Sequence, residues 1–273
     1  MIGASRVGRD GRLALGFEIR GSRTILSRCR YTLPLQVMAP MAIDDSAAVV
    51  SILNPTGGLV GGDALEIEVD VGPGAHACLT TPSATKVYRA DSVAAAQRVR
   101  LRVAAGARLE WVPDHTIPFA GAAFRQVLGA DVEEGGVLVV VDAFAAGRVA
   151  RGEAWRFALL DSTLSVRDRR GFVLQDRFVL REGGPRGLGV TEGRSYFATV
   201  VVVADAGLAA FVERVAAVGD IDADVGGGLL ARRGAVVRCV AADAPALTRA
   251  VDAVWTAARG ELLGVGHLAL RKS

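Results

Sequence analysis

Five carboxylates stand in or beside stretches of strand or turn character: Asp63, Glu66, Asp142, Glu153 and Asp176. Isolated carboxylates hold a divalent cation weakly and release it readily, which suits a cation in transit better than one in storage. Each acid taken alone reads first as a solvated group or an arginine partner. Spacing does not show whether several converge on one interior passage. Two softer ligands, His76 and Cys78, lie two apart in the strand-like Ala75–Thr81 and so share a face; a borderline metal accepts both. Their plain reading is a hydrogen-bonded histidine and a small buried cysteine. His115 and His267 are isolated in sequence, and three histidines in all are too few for a dense His/Cys cage.

Two segments imitate catalytic motifs. Ser83-Ala84-Thr85-Lys86 has the S-x-x-K spacing of serine acyl-transfer enzymes. That chemistry also needs a helix under the serine and companion Ser-Asp-Asn and Lys-Thr-Gly elements, and neither tripeptide occurs. The glycine-rich Asn54–Asp63 would need Gly-Lys-Ser/Thr and a following helix to cradle phosphate. It has neither, and a strand pattern follows. It reads as a folded turn, with Asp63 capping it through its side chain. A rigid turn of that kind also fixes a carboxylate where an ion could meet it. The chain is therefore not read as an enzyme.

Strands must position these groups. Ala64–Val71 sets Leu65, Ile67, Val69 and Val71 opposite Glu66, Glu68 and Asp70, and Gln97–Val103 sets Val99, Leu101 and Val103 opposite Arg98, Arg100 and Arg102. Both are half-buried strands by period. If they are neighbours, the acidic and basic rows can pair, each exposed pair being worth roughly 0–1 kcal/mol. A short motif of an aliphatic residue, two spacers, Gly and a small residue recurs at Val71–Ala75, Val103–Ala107, Val132–Gly136, Leu180–Gly184 and Ala231–Ala235. It marks strand–turn–strand units, either stacked layers or ordinary hairpins. The last quarter changes character. Gly207–Gly219 and Leu247–Leu263 have helical spacing, Asp243 with Pro245 makes a helix start, and Tyr196–Ala204, Leu229–Leu230 and Val236–Val240 are strand candidates. The expected fold is mainly β, one domain over 1–273, with a β body over about 1–195 and an α+β part with two helices over about 196–273.

Bulk properties narrow the function. A net charge of +3 from 32 basic and 29 acidic residues is too balanced for nucleic-acid binding. The basic charge is almost all arginine, which favours ion pairs and interfaces; the only lysines are Lys86 and Lys272. A mean hydropathy of +0.34 argues against disorder. The longest apolar run, Phe197–Ala204, is too short for a membrane span, and Met1–Asp10 has no secretory core. Three scattered cysteines give no disulfide framework, so a reducing cytoplasm is expected.

Several blocks, in order, carry a resemblance: Pro55-Thr56-Gly57-Gly58-Leu59-Val60-Gly61-Gly62-Asp63, Leu79–Arg89 and Leu109-Glu110-Trp111-Val112-Pro113-Asp114, followed by Asp142-Ala143-Phe144 and Gly147–Glu153. Over roughly residues 20 to 180 the chain resembles the urease accessory protein family UreD, also called UreH. The resemblance implies strands wound into stacked, helix-like β layers with two α-helices near the C-terminus. It implies a scaffold that binds a UreF-type protein, which recruits the GTPase UreG, the assembly holding two copies and engaging apo-urease. No tightly bound cofactor is implied, only Ni2+ in transit, with Asp63, Glu66, Asp142, Glu153 and Asp176 as its touch points. Lys86, Tyr88 and Arg89 would fix the central turn or meet a partner. The alternative is a module that braces or opens apo-urease without carrying nickel.

Overall fold

The computed structural model describes residues 9–42, 47–185, 191–218 and 222–270. The Met1–Asp10 reading therefore lies outside the described residues except for its last two, and Gly219 lies outside them too. Among the described residues the strands form two sheets, one of seven strands and one of eleven. The first runs from Gly171–Arg181 through Leu159–Asp168, Ala123–Val132, Ala95–Val103, Ala64–Val71 and Asp10–Arg20 to Arg23–Thr32. The second has Val137–Ala145, Arg108–Trp111, His76–Thr80 and Ala47–Leu53 at its centre.

The chain alternates between the sheets. Ala64–Val71 turns a corner into His76–Thr80, Ala95–Val103 into Arg108–Trp111, and Ala123–Val132 into Val137–Ala145. Successive windings pair in parallel in both sheets. The recurring Gly motif sits at these three corners. Gly74, Gly106 and Gly135 have φ of 73°, 69° and 78°, a region closed to most side chains. The corners also stack: Ala104 N donates to Val71 O at 3.0 Å, and Glu133 N to Val103 O at 2.9 Å. The motif is thus a layer repeat at three places. At Ala231–Ala235 it is an ordinary hairpin, joining Ala223–Leu229 to Gly234–Ala241.

Alternation decides what each face meets. Leu65, Ile67, Val69, Val99, Leu101 and Leu128 point inward against Leu79, Leu109, Val140 and Phe144 of the second sheet. Each such side chain contributes roughly 1.5–3 kcal/mol by leaving water. The outer face of the first sheet carries the charged rows in direct register, Glu66 beside Arg98, Glu68 beside Arg100 and Asp70 beside Arg102. Arg100 meets Glu68 at 3.0 Å and Arg102 meets Asp70 at 2.8 Å.

The C-terminal part is joined to the body by hydrogen bonds. Tyr196–Val203 pairs antiparallel with Val137–Ala145, so the second sheet runs on without a break. Helix α1 (Leu208–Ala216) and helix α2 (Ala244–Ala258) cover its outer face, packing Phe211, Leu247, Val254 and Trp255 on Val139, Val141, Val200 and Val237. Asp243 caps α2 by accepting from Ala246 N at 2.8 Å, and α2 continues as one wider π-type turn over Arg259–Leu263. One strand is longer than its residues suggest: Ala223–Leu229 replaces the expected Leu229–Leu230. Its Gly226-Gly227-Gly228 offers no alternation to read, and edge pairing to Gly234–Ala241 holds it instead.

Candidate functional site

Polar side chains interrupt the apolar layer between the sheets at one level. Gln97, Gln126 and Ser162 occupy inward positions of three neighbouring strands of the first sheet. Asp142 and Thr199 face them from register partners in the second sheet. Gln126 Nε2 donates to Asp142 Oδ1 at 2.8 Å, and Ser162 Oγ donates to Asp142 Oδ2 at 3.3 Å. Gln97 Nε2 reaches Gln126 Oε1 at 3.3 Å. On the other side Arg238 Nη1 donates to Thr199 Oγ1 and, at 2.8 Å, to Asp176 Oδ2. The result is a polar belt that starts inside, at Gln97, Gln126 and Asp142 with Thr199 beside it in register, and ends at the solvent-touching Arg238–Asp176 pair.

Two cavities end on this belt. One of about 260 Å³ opens between Asn54–Gly58 and Thr81–Lys86 and reaches Gln97, Gln126 and Asp142. The other, about 650 Å³, is walled by Phe178, Leu180 and Phe197 and reaches Thr199, Arg238 and Asp176. Burial pushes the Asp142 carboxyl up to about 6, opposed by the hydrogen bonds from Gln126 and Ser162; the nearby Asp176 charge adds to the rise. Asp142 is therefore mostly ionised at neutral pH, yet close enough to its pKa for protons to compete with a cation.

The five sequence-predicted acids are not all in this place. Asp142 and Asp176 are brought to the belt. Asp63 is buried at the end of the glycine turn, where Oδ2 accepts from Val60 N at 2.8 Å and Oδ1 from Arg9 Nε at 3.0 Å. Its capping role is thus met, with both oxygens engaged. Glu153 is clamped by Arg148 through Nε at 2.8 Å and Nη2 at 2.5 Å, and that hydrogen-bonded guanidinium holds its carboxyl below the ordinary range. Glu66 lies on the outer face, 3.6 Å from Arg12, with the charged ladder.

The other singled-out segments are structural at their contacts. Gly58 has φ 152°, and a Cβ there would sit 2.5 Å from Lys86 O and 2.7 Å from Tyr88 Cε2. Only glycine lets the Asn54–Asp63 turn close on the Thr85–Val87 strand, where Leu59 N meets Lys86 O and Tyr88 N meets Leu59 O, each at 2.8 Å. Lys86 and Tyr88 thus fix the central turn through their backbone, and Arg89 bridges to Ala122. Ser83 sits on a bend ahead of a strand, not at a helix start.

A second buried cluster was hidden in the sequence. Glu110, with no exposed surface, accepts from His76 Nε2 at 2.7 Å, Trp255 Nε1 at 2.6 Å and Arg259 Nη1 at 2.7 and 2.9 Å. Arg259, also fully buried, donates through Nε to Gly266 O at 2.7 Å. These contacts fasten α2 and the segment after it to the second sheet. The signal was one acid inside the apolar Leu109–Val112, but its cation lies far along the chain.

The family model described as UreD urease accessory protein matches residues 9–272. The chain belongs to the UreD urease accessory protein family. It is 38% identical over 274 residues to the urease accessory protein UreD of Deinococcus radiodurans, covering 99% of this chain and 98% of that one. It is 35% identical over 259 residues to the UreD of Mycolicibacterium gilvum, covering 91% and 94%. A match to the UreD of Cupriavidus necator reaches 44% over 165 residues, 60% of this chain and 57% of that one. Membership assigns this chain an accessory role. Among its described residues no helix is long and apolar enough to cross a membrane.

Proposed function

We propose that this UreD chain is a cytoplasmic nickel-delivery scaffold. It works in a complex with UreF-type and UreG-type proteins, holding two copies, and passes Ni2+ toward apo-urease. The observation that carries this reading is the belt through buried Asp142, with one cavity reaching Asp142 and another reaching the belt's outer end at Thr199, Arg238 and Asp176. Ni2+ is the cargo. Inside a β body a cation needs oxygen ligands that replace water without trapping it. Asp142 supplies one carboxylate, held by two neutral hydrogen-bond donors, and Asp176 supplies the next beyond Thr199. Arg238 balances the pair when no cation is present, which keeps residence short. Asp63 and Glu153 serve the route indirectly by holding its surrounding turns, and Glu66 braces the outer sheet face.

Urease matured beside the Asp142→Asn, Asp176→Asn double variant tests this reading. Nickel per urease should fall several-fold while UreF, UreG and urease still co-purify. Wild-type nickel content with an intact complex would refute the passage. Loss of urease from the complex would instead mark the chain as a brace that opens or holds apo-urease.

A further inference from the structure

The first sheet ends on one side in a strand with a free edge. Arg23–Thr32, ten residues long, pairs with Asp10–Arg20 and, among the described residues, with no strand beyond it. From Ser27 to Thr32 every residue is exposed, on both faces. Arg28 and Arg30 stand opposite Gly16 and Ala14 on the outer face; Cys29 and Tyr31 stand opposite Leu15 and Leu13 on the inner one, and Tyr31 is still half exposed. The strand has three arginines and no acid. At the hairpin end Arg23 lies directly opposite Arg20, and like charges so placed weaken a sheet. Of these four arginines only Arg28 has a carboxylate partner among the described residues, Asp70.

We propose that this edge takes an extended, carboxylate-rich segment of a partner protein as an added strand. An unpaired edge offers a row of backbone N–H and C=O groups, and a strand laid along it satisfies them. Side-chain alternation then sets the composition of the incoming segment: acids on the side of Arg23, Arg28 and Arg30, apolar residues on the side of Tyr31. Edge charges ordinarily keep other strands away, but charges of one sign exclude selectively. A second copy pairing through the same edge would set arginine against arginine and add to the like-charge cost, whereas an acidic segment relieves it. None of these residues lines either cavity on the Asp142 route, so the inference goes beyond the nickel reading and stands or falls separately.

The probe is the peptide acetyl-Glu-Val-Glu-Val-Glu-Val-Glu-amide, added to the full 15N-labelled chain, with the same peptide carrying Lys in place of Glu as control. The acidic peptide should shift the 1H–15N signals of Ser27–Thr32 ahead of any others. At saturating peptide, hydrogen exchange should slow at every second residue of that run, because alternate amides of an edge strand point outward. The lysine peptide should leave the run unmoved. The Arg23→Glu, Arg30→Glu double variant should raise the acidic peptide's half-saturation concentration about 10-fold or more, since two attractions become repulsions. No shift at Ser27–Thr32, slowed exchange without alternation, equal binding of the lysine peptide, or wild-type affinity in the folded double variant would overturn the site. So would a dimer of the free chain that already protects Ser27–Thr32, which would assign the edge to a second copy. Should the double variant not fold, the wild-type exchange pattern and the two peptides decide.

Discussion

Replacing Glu110 by Ala should cost about 4 kcal/mol and release α2 before the rest of the molecule. The carboxylate collects donors from three side chains, His76, Trp255 and Arg259, inside a region with no exposed surface at either Glu110 or Arg259. One net hydrogen bond to a charged group is worth about 1.5–3 kcal/mol, so a plain sum would exceed 5 kcal/mol. The donors share one acceptor, so their losses overlap. The better guide is the roughly 3–5 kcal/mol lost when one member of a buried ion pair is removed and the other stays charged. That is a large part of the 5–15 kcal/mol that typically holds a fold together. Glu110→Gln should cost less, about 3 kcal/mol, because one acceptor oxygen survives while the buried Glu110–Arg259 ion pair is lost. Urea unfolding of the purified chain measures the total. Hydrogen exchange locates it: amides of α2 should lose protection ahead of those in Ala95–Val103. A Glu110→Ala loss below about 1 kcal/mol, or exchange that rises equally in both places, would refute the idea that this cluster fastens the helix.

Three further outcomes follow from the same geometry. Gly58→Ala forces a Cβ to 2.5 Å from Lys86 O at φ 152°, and thermal unfolding should show a loss of about 3 kcal/mol. Asp63→Ala removes the buried acceptor of the Val60 amide and one partner of half-exposed Arg9, which keeps its bond to Gly61 O; urea unfolding should report about 1–2 kcal/mol, most of it from the stranded amide. Asp142 has a folded pKa raised from 3.8 to about 6, so its contribution to stability is complete below about pH 4 and lost as pH rises through 6. Against the Asp142→Asn variant, the wild type should therefore weaken across that window by up to about 3 kcal/mol and stay level above it, as unfolding at stepped pH will show.

Much of the body could be read from residues alone. The alternation in Ala64–Val71 and Gln97–Val103 is the register of two adjacent strands, down to the Glu68–Arg100 and Asp70–Arg102 pairs. The spaced glycines are sheet-to-sheet corners because a turn with φ near +70° needs them there. The same alternation placed Glu66 opposite Leu65 and Ile67, and so on the outer face. The belt had a signal too. Gln97 falls in phase with Val99 and Leu101, and Gln126 with Phe124 and Leu128, so each is a polar group at an inward position. What could not be read is which distant strands face one another. Asp142 meets Gln126 and Ser162 only because two sheets stack, and Glu110 meets Arg259 only because α2 lies across the sheet. Those contacts belong to tertiary geometry, which no local period encodes.

The most direct test follows the metal itself. A UreG-type partner loaded with radioactive nickel, assembled with UreF, this chain and apo-urease, is challenged with a chelator too large to enter the cavities. Wild-type chain should carry label into urease despite the chelator, and the Asp142→Leu variant, similar in bulk but without ligand oxygens, should stop it while the complex stays whole. Label reaching urease at the wild-type rate through Asp142→Leu, or captured wholly by the chelator in the wild type, would contradict an interior route.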